Sequence, residues 1–376
     1  MNKILVFIDW FSPAYKAGGP IISLKNIIEH LSSDFEFYVV TSNIDIDKKE
    51  VTPFENVNRW NNKNKFSIIY LSKSHQNISF YNSLLIEINP DVIYFNSLFS
   101  LRFSIIPILR LKSHKKFILA PRGMLGDGAL EIKSLKKKIF LKIISQLKTY
   151  KEITWHASTK NEKLEIESIF GQNANVIIAQ NLSPRIFNRT FKTKKSNRDK
   201  LIVLFVSRIS KKKNLLFLIN EINICNTRDE IHLKIIGFPE DISYFNECLF
   251  SLKKYKISYE FLGSIPHSKL PEHYSNSDIF CLPTLHENYG HVIIEALSYG
   301  LPVIISNNTP WKNLEKSRAG FDLKLNQNNF CNKIEFFQKM KDSDYAIYSK
   351  NAIKYFESIN PVKKLIEENI NLFALK

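Results

Sequence analysis

The chain has 376 residues and only four cysteines, none of them in a Cys-x-x-Cys pair. Cys225, Cys248, Cys281 and Cys331 stand in apolar surroundings, so we expect buried free thiols in a reducing, cytoplasmic environment. Long apolar runs are also missing, because no stretch reaches the roughly 18 uninterrupted apolar residues of a membrane span. The apolar run that opens the chain is too short for a secretory signal, and we expect a first strand there instead.

Patterns that hold common ligands are scarce as well. The loop after the first predicted strand lacks Gly-x-Gly-x-x-Gly, which argues against an enzyme that binds NAD. No His-rich ligand set indicates a metal site, so we expect neither a metal nor a cofactor. The interleaved basic and aromatic residues of a known nucleic-acid-binding module are missing too, and we expect no nucleic acid partner.

What the chain does contain is enough apolar sequence for two domains. Hydrophobic residues make up 44% and aromatic residues 12%, and the length exceeds that of one ordinary domain. We predict an α/β protein with an N-terminal domain over 1–182, a linker over 183–200 and a C-terminal domain over 201–360. The linker is predicted from Pro184 and a polar, basic run.

Positive charge dominates, with a formal net charge of +17. Between residues 102 and 151 there are 13 Lys or Arg residues and only two acids, Asp127 and Glu131. Residues 131–149 alternate lysine clusters with Ile, Leu and Phe at helical spacing. Periodicity alone fits an ordinary exposed helix with an apolar inner face, whereas the concentration of charge favours a surface that meets anionic lipid headgroups.

The second half of the chain is organised around residues 283–305. The apolar run 278–282 predicts a buried strand, a polar loop follows it, and 291–299 predicts a helix that ends before Gly300 and Pro302. A loop at the carboxyl end of a parallel strand is where open α/β sheets bind ligands.

Two carboxylates and one glycine mark this loop. Gly290 would let a ligand approach the backbone, and the N–H groups at the helix start favour an anion such as a diphosphate. Glu287 and Glu295, with seven residues between them, could recognise the hydroxyls of a ribose or a sugar. The same pair also fits an ordinary surface helix whose acidic first turn complements its dipole.

The full string resembles a known family signature. It reads Pro283-Thr-x-x-Glu-Asn-Tyr-Gly-x-x-x-x-Glu-Ala-x-x-x-Gly-x-Pro-Val303, which is similar to the Glu-x7-Glu signature of retaining glycosyltransferases of the large family 4 group. The resemblance covers nearly the whole chain. It implies the GT-B fold, in which two doubly wound Rossmann-like domains face a central cleft. It also implies that the C-terminal helix, about 361–376, packs back on the N-terminal domain.

Other segments match the family residue by residue. The loop from Ser207 to Asn214 resembles Gly-Arg-Leu-x-x-x-Lys-Asn, with Ser207 in place of Gly. The match implies that Arg208 and Lys213 hold the donor diphosphate, although a solvated basic loop would look the same. Gly18 and Gly19 match the glycine loop that faces the donor, and the simpler reading of the pair is a tight turn.

Two positions are matched to the acceptor side of the cleft. Pro121-Arg-Gly-Met-Leu125 resembles a loop of a polysaccharide-assembly subgroup, which implies that Arg122 contacts acceptor or donor. The alternative is a solvated loop arginine. Asn96, at the carboxyl end of a predicted strand, stands where many relatives have a His, so the role of that His is open here.

The resemblance implies a reaction and a set of roles. A sugar would pass from a nucleoside-diphosphate sugar to an acceptor hydroxyl with its anomeric configuration retained and without a metal. Arg208, Lys213 and Glu287 are the expected catalytic residues, and Glu295 would hold the ribose hydroxyls. The expected donor-binding set also includes Gly18, Gly19, Asn288, Tyr289, Gly290 and His291.

The subgroup and the basic region favour a lipid-linked oligosaccharide as acceptor, for capsule, O-antigen or exopolysaccharide synthesis. The protein would then be cytoplasmic and peripheral on the inner face of the plasma membrane. Two rivals share the fold. A GT-B sugar-nucleotide epimerase would convert its substrate with no acceptor present. A non-catalytic GT-B partner subunit would not need the intact set of Glu287, Glu295, Arg208 and Lys213.

Overall fold

A computed structural model describes residues 1–51, 56–111, 115–126, 134–185, 191–193 and 199–374. The chain divides into two compact units. The first is Met1–Leu182 with Val362–Lys376, and the second is Ser183–Pro361. The predicted linker 183–200 is therefore part of the second unit, although 186–190 and 194–198 lie outside the described residues.

The first unit is built on one sheet. Its strands are β1 (Asn2–Ile8), β2 (Phe35–Ser42), β3 (Trp60–Asn62), β4 (Phe66–Leu71), β5 (Val92–Asn96), β6 (Lys116–Ala120), β7 (Thr154–Ala157) and β8 (Val176–Ile178). Their order is β3-β4-β2-β1-β5-β6-β7-β8, and every neighbouring pair is parallel except β3 with β4. Strand β1 therefore lies inside the sheet, with β2, β4 and β3 on one side of it and β5 to β8 on the other.

The second unit is built on a second parallel sheet. Its strands are β9 (Leu201–Val206), β10 (Ile231–Ile236), β11 (Ser258–Gly263), β12 (Ile279–Leu282), β13 (Val303–Ser306) and β14 (Gly320–Leu323). The order β11-β10-β9-β12-β13-β14 is the 3-2-1-4-5-6 arrangement of a Rossmann domain. The prediction of two doubly wound, Rossmann-like domains is confirmed.

Helices cover both sheets. In the first unit they are α1 (Gly19–Leu31), α2 (Ile78–Ile88), α3 (Ile106–Arg110), α4 (Ser134–Ile144), α5 (Lys148–Glu152) and α6 (Lys160–Phe170). The second unit has α7 (Leu215–Ile224), α8 (Ile242–Lys254), α9 (Leu270–Ser275), α10 (His291–Ser298), α11 (Asn329–Lys339) and α12 (Asp342–Ile359). The last helix, α13 (Val362–Phe373), belongs to the first unit.

The first sheet has a core on each face because alternate residues of a strand point to opposite sides. From β1, Ile4, Val6 and Ile8 join the cluster that contains α1 and α13, whereas Leu5 and Phe7 join the cluster that contains α2 and α4. The second unit has a core of its own, around β9, β12 and α10.

Some elements differ from the sequence-based expectation. The predicted basic helix 131–149 is two helices, α4 and α5, and 131–133 lie outside the described residues, as do Asp127 and Glu131. The helical segment after β5 begins with a π-helical turn, Leu101–Ile105, before α3. Strands β3 and β14 have no counterpart in the prediction, because three or four residues carry too little periodicity to identify a strand.

Candidate functional site

The strand order of the second unit changes direction between β9 and β12, which pair directly. Ligands of such sheets bind at the carboxyl ends of the strands at this point. The loop after β9 and the loop after β12 are joined there, because Leu285 N–H and the Thr284 hydroxyl both donate to the carbonyl of Lys212, at 2.8 and 3.2 Å. These bonds bring the loop that carries Lys213 against the loop that carries Glu287.

Lys213 and Glu287 form an ion pair at this junction, and both side chains are largely buried. Burial alone would raise the pKa of Glu287, but Lys213, with Lys212 and His286 nearby, lowers it below its ordinary value. Glu287 is therefore a carboxylate held in place by a cation. The backbone N–H of Glu287 also donates to Asn308 O at 2.9 Å, which fixes the loop against the end of β13.

Helix α10 begins next to this pair, and Gly290 sets its first turn. Gly290 has a left-handed φ of 78°, and a Cβ there would lie 2.9 Å from Ile293 Cδ1 and 3.0 Å from Glu287 Cγ. Only glycine fits this geometry without strain. Gly290 is the N-cap and has no side chain with which to cap the first N–H groups of the helix, so these are suited to an anion.

Tyr289 contributes its backbone rather than its ring. The ring is buried against Trp311 and His291, with centroids 5.1 and 4.7 Å away. Trp311 Nε1 donates to the carbonyl of Tyr289 at 2.5 Å. The Thr-Pro-Trp segment after β13 therefore holds the loop that precedes α10.

Glu295 is buried in α10 and accepts two side-chain hydrogen bonds. Tyr274 of α9 donates through its hydroxyl at 2.9 Å, and His267 Nε2 lies 2.8 Å from the other carboxylate oxygen. Burial alone would raise the pKa of Glu295, but His267 outweighs it, with help from His291 and Tyr274, so the pKa is lowered. The alternative of a surface helix is wrong, since nearly all of α10 is buried.

Arg208 has an acidic partner that the sequence did not indicate. Its guanidinium donates to Glu240 Oε1 at 2.6 Å, and both side chains are partly exposed. The loops after β9 and β10 run side by side there, because Ile209 N–H donates to Phe238 O at 2.8 Å. Gly237 permits this close approach, since a Cβ at that position would overlap Ser207 O at 1.7 Å.

In the first unit, Gly18 and Gly19 stand where α1 begins. Gly18 is the N-cap with φ 74°, and Gly19 is the first helical residue. The preceding loop is braced by Asp45, whose carboxylate accepts from the backbone N–H groups of Tyr15 and Lys16 at 3.3 and 3.5 Å. The glycine pair therefore opens the helix that follows β1, and its contact with a donor stays a prediction.

Arg122 is not a solvated loop residue. Its guanidinium donates to Asn96 Oδ1, Asn181 Oδ1 and the Tyr94 hydroxyl at 3.0, 2.7 and 2.6 Å. The Tyr94 hydroxyl lies 2.8 Å from His156 Nδ1. On the other side of the ring, His156 Nε2 lies 2.8 Å from the carbonyl oxygen of Ala179, so Nε2 must carry the proton and donate it. Burial, with Arg122 nearby, lowers the pKa of His156 to about 3, so the imidazole is neutral and accepts from Tyr94.

This network orients Asn96 at the carboxyl end of β5. Its side-chain oxygen accepts from Arg122, while its buried Nδ2 lacks a hydrogen-bond partner among the described residues. Glu162 fixes the loop that carries Arg122. One of its carboxylate oxygens accepts from Gly123 N–H at 2.6 Å and the other from Ser158 N–H at 2.7 Å. Thr159 caps α6 by accepting from Glu162 N–H at 3.1 Å, so the first turn of α6 also supports the Arg122 loop.

None of the predicted site residues belongs to a group of described side chains that could hold a metal ion. Within the part of the chain that the structure describes, Cys225, Cys331 and Glu335 alone form a group of at least three potential ligands whose atoms lie within 4.8 Å of one another. In that same part, no helix has both the length and the apolar character to span a membrane.

The structure therefore brings Lys213, Glu287 and Gly290 together, places Glu295 one turn further along α10, and pairs Arg208 with Glu240. The sequence reasoning did not include His267 or Glu240. His267 follows the carboxyl end of β11, where parallel sheets bind ligands, and that position was the one available signal. No comparable signal pointed to Glu240.

Comparison with known protein families agrees with these features. Residues 187–355, most of the second unit, match the family described as Glycosyl transferases group 1. A relative is the uncharacterized 41.2 kDa protein in the cps region of Klebsiella pneumoniae, 24% identical over 250 residues, which are 63% of this chain and 67% of that one. The next curated relatives align over 44% and 28% of their own length.

Solved structures match the whole chain. Sucrose-phosphate synthase from Thermosynechococcus elongatus has a TM-score of 0.78 at 15% identity and covers 99% of this chain and 98% of its own. Anabaena HepE, in a crystal structure with UDP and glucose, has a TM-score of 0.71 at 14% identity and covers 99% of both chains. At these identities the likeness concerns the fold, which is GT-B.

Proposed function

We propose that the chain, of which residues 187–355 match the glycosyl transferases group 1 family, is a retaining glycosyltransferase that moves a sugar from a nucleoside-diphosphate sugar to a glycan acceptor. The observation that carries this proposal is the buried Lys213–Glu287 pair beside the glycine-capped start of α10, at the switch point of the second sheet. A fixed cation and a set of N–H groups suit a diphosphate.

Each residue of the site has a role that its geometry permits. The Lys213 ammonium has three donors, of which Glu287 takes one, so it can also donate to a phosphate oxygen of the leaving diphosphate. Arg208 adds a second cation at the end of β9. The carboxylate of Glu287 would accept hydroxyls of the donor sugar. Each oxygen of Glu295 can accept a second hydrogen bond, and in this proposal the ribose hydroxyls donate it.

We propose that neither glutamate is a nucleophile and that no metal takes part. The cations and the N–H groups of α10 supply positive charge where negative charge develops as the bond to the diphosphate breaks. Treatment with EDTA is therefore expected to leave both nucleotide binding and sugar transfer unchanged. A loss of transfer that Mg²⁺ or Mn²⁺ restores would overturn this part.

The first test of the donor site is a thermal-shift screen with UDP, GDP, ADP and CMP. UDP is the leading choice, because the related fold of Anabaena HepE is solved with UDP and glucose. We expect one nucleoside diphosphate to raise Tm by several degrees in the wild type. Lys213→Ala should lose this shift because it removes the phosphate cation.

Lys211→Ala is the matched control, since Lys211 is exposed on the same turn. It should retain the shift. If no nucleotide stabilises the wild type, or if Lys213→Ala responds as the wild type does, the switch-point site is only a scaffold. The non-catalytic partner reading would then replace the proposal.

The acceptor is proposed to be a lipid-linked oligosaccharide at the cytoplasmic face of an anionic membrane. The relative encoded in a Klebsiella cps region supports a polysaccharide pathway, and Asn96 with Arg122 offers polar groups at the carboxyl end of β5 for acceptor binding. Transfer from the identified donor should give a product that partitions into organic solvent when a lipid extract is the acceptor source. Conversion of the donor with no acceptor would favour an epimerase instead.

A further inference from the structure

Helix α4, Ser134–Ile144, has apolar side chains on two faces. Leu141 and Ile144 are buried in the core of the first unit, and the ring of Phe140 packs against Phe99 with centroids 5.8 Å apart. This inner face packs the helix against the core of the first unit. The remaining large apolar residues of α4 are largely exposed.

Those remaining residues are exposed and aligned. Leu135 is 71% exposed, Ile139 53% and Ile143 57%. Their spacing of four residues puts them one above the other along the outer surface of the helix. Single exposed apolar residues are ordinary, but three in one row are a continuous strip. We refer to these three side chains as the ridge.

Lysines flank the ridge on both sides. At 100° per residue, Lys138 and Lys142 lie on one side of it and Lys136 on the other, and all three are exposed. The helix contains no acidic residue. An ordinary solvated face would have its polar residues in the middle, whereas here the apolar residues occupy the middle and the cations the edges. This is the arrangement of a helix that lies in a membrane interface.

We propose that the ridge inserts into the interface of an anionic lipid bilayer, with Lys136, Lys138 and Lys142 against lipid phosphates. The inference deepens the proposed function, since it names the contact by which the enzyme would reach a lipid-linked acceptor. The positive charge of this helix face favours an anionic lipid surface over a second copy of this chain, because two such faces in contact would place lysines of like charge next to one another. Electrostatic attachment of the whole basic region would need no ridge, so insertion is a separate and testable claim.

The test is vesicle co-sedimentation of full-length protein in phosphatidylglycerol-rich and in pure phosphatidylcholine vesicles. We expect binding only to the anionic vesicles, and part of it should survive about 1 M NaCl, where the Debye length is only about 3 Å. The triple variant Leu135→Ser/Ile139→Ser/Ile143→Ser should bind at least about tenfold more weakly, because the apolar contribution is lost. Its residual binding should disappear in salt.

The double variant Ile86→Ser/Leu164→Ser is the matched control. These residues are 84% and 64% exposed on α2 and α6 of the same unit, so the control removes exposed apolar surface elsewhere. It should bind as the wild type does. Complete release of the wild type by salt, or equal binding of the triple variant, would overturn insertion. A dimer that the triple variant dissociates would reassign the ridge to self-association.

A second measurement avoids multiple substitution. Ile139→Cys can be labelled selectively with an environment-sensitive fluorophore, since Cys225, Cys248, Cys281 and Cys331 are buried. Its emission should shift to the blue on anionic vesicles and be quenched by brominated lipid, whereas a label at Ile86→Cys should show neither change. An unshifted label at residue 139 would contradict insertion. The nucleotide-induced thermal shift should persist in the triple variant, so failure of this inference is distinguishable from failure of the donor site.

Discussion

The carboxylate of Glu295 is buried between Tyr274 and His267, and its stability contribution should depend on pH. Although burial acts in the opposite direction, His267, His291 and Tyr274 lower its pKa from the ordinary value of 4.5. A carboxyl group whose pKa is lower in the folded state stabilises the fold fully above its unfolded pKa. That contribution is lost as the pH falls through the folded value.

Glu295→Gln is therefore expected to reduce the free energy of unfolding by about 1–3 kcal/mol at neutral pH, because charged hydrogen bonds to a buried group are lost. The difference from the wild type should shrink as the pH falls below about 4.5, where the unfolded carboxyl group takes up a proton, and should vanish below the lower pKa of the folded state. Urea unfolding at several pH values measures both effects. Glu272→Gln, an exposed position on α9, is the control and should change little; a pH-independent deficit in Glu295→Gln would contradict this account.

For individual side chains, the sequence predicted candidate site residues but not the side chains that hydrogen-bond to them. The Glu-x7-Glu string predicted roles for Glu287 and Glu295, and the loop from Ser207 to Asn214 predicted one for Lys213, because both are contiguous motifs. Tyr274 and His267 are 21 and 28 positions from Glu295, and Glu240 is 32 positions from Arg208. Such contacts depend on how loops of neighbouring strands meet, which no local pattern records.

Among the helices, α11 begins with the help of a side chain from α7. The buried carboxylate of Glu221 accepts from the backbone N–H groups of Asn328 at 3.0 Å, Phe330 at 3.0 Å and Cys331 at 3.1 Å. These are N–H groups that a helix leaves unsatisfied at its start, and a carboxylate there also complements the helix dipole. Two helices of the second unit are thus joined by one side chain.

Glu221→Gln should destabilise the protein by about 1–3 kcal/mol, since an amide has one accepting oxygen in place of two charged ones. Hydrogen exchange should show faster exchange at Phe330 and Cys331, whereas α8 should be unaffected. Glu247→Gln, at an exposed position on α8, is the matched control. Unchanged protection at the start of α11 would mean that Glu221 is not a significant cap.

Element types were predictable wherever the apolar pattern was long. Strands such as β6 and β9 are recognisable in the sequence, because four or more apolar residues stand between polar loops. The exposed ridge of α4 was not predictable in that way. A helical period groups Leu135, Ile139 and Ile143 with other apolar residues, and only the fold shows which of them face the sheet.

For the whole molecule, the two units have separate cores although the chain passes from the second back to the first. Helix α13 follows α12 of the second unit, but Leu365, Leu372 and Phe373 are buried in a cluster with residues of α1 and β2. Lys116 of β6 donates to the carbonyls of Leu372 and Ala374 at 3.1 and 3.0 Å, which secures the end of α13. The stability of the first unit therefore depends on the last residues of the chain.

Phe373→Ala tests this dependence. The ring of Phe373 is fully buried and packs edge-on against Phe35, Phe37 and Tyr94, with centroids 5.8, 6.1 and 5.3 Å away. Its removal should cost about 3–5 kcal/mol of unfolding free energy and should lower the melting temperature of the first unit. The nucleotide-induced thermal shift should remain, because Lys213 and the start of α10, the proposed diphosphate site, and the core around them lie in the second unit.

The control for Phe373→Ala is Phe250→Ala, which shortens an exposed aromatic side chain on α8 and should leave both melting behaviour and nucleotide response unchanged. Limited proteolysis offers a second readout, since cleavage in Phe373→Ala should begin within residues 1–182. If cleavage began in the second unit instead, or if the nucleotide shift vanished, the two cores would be coupled more tightly than their separate clusters imply. The second unit could then not report on the donor site independently of the first.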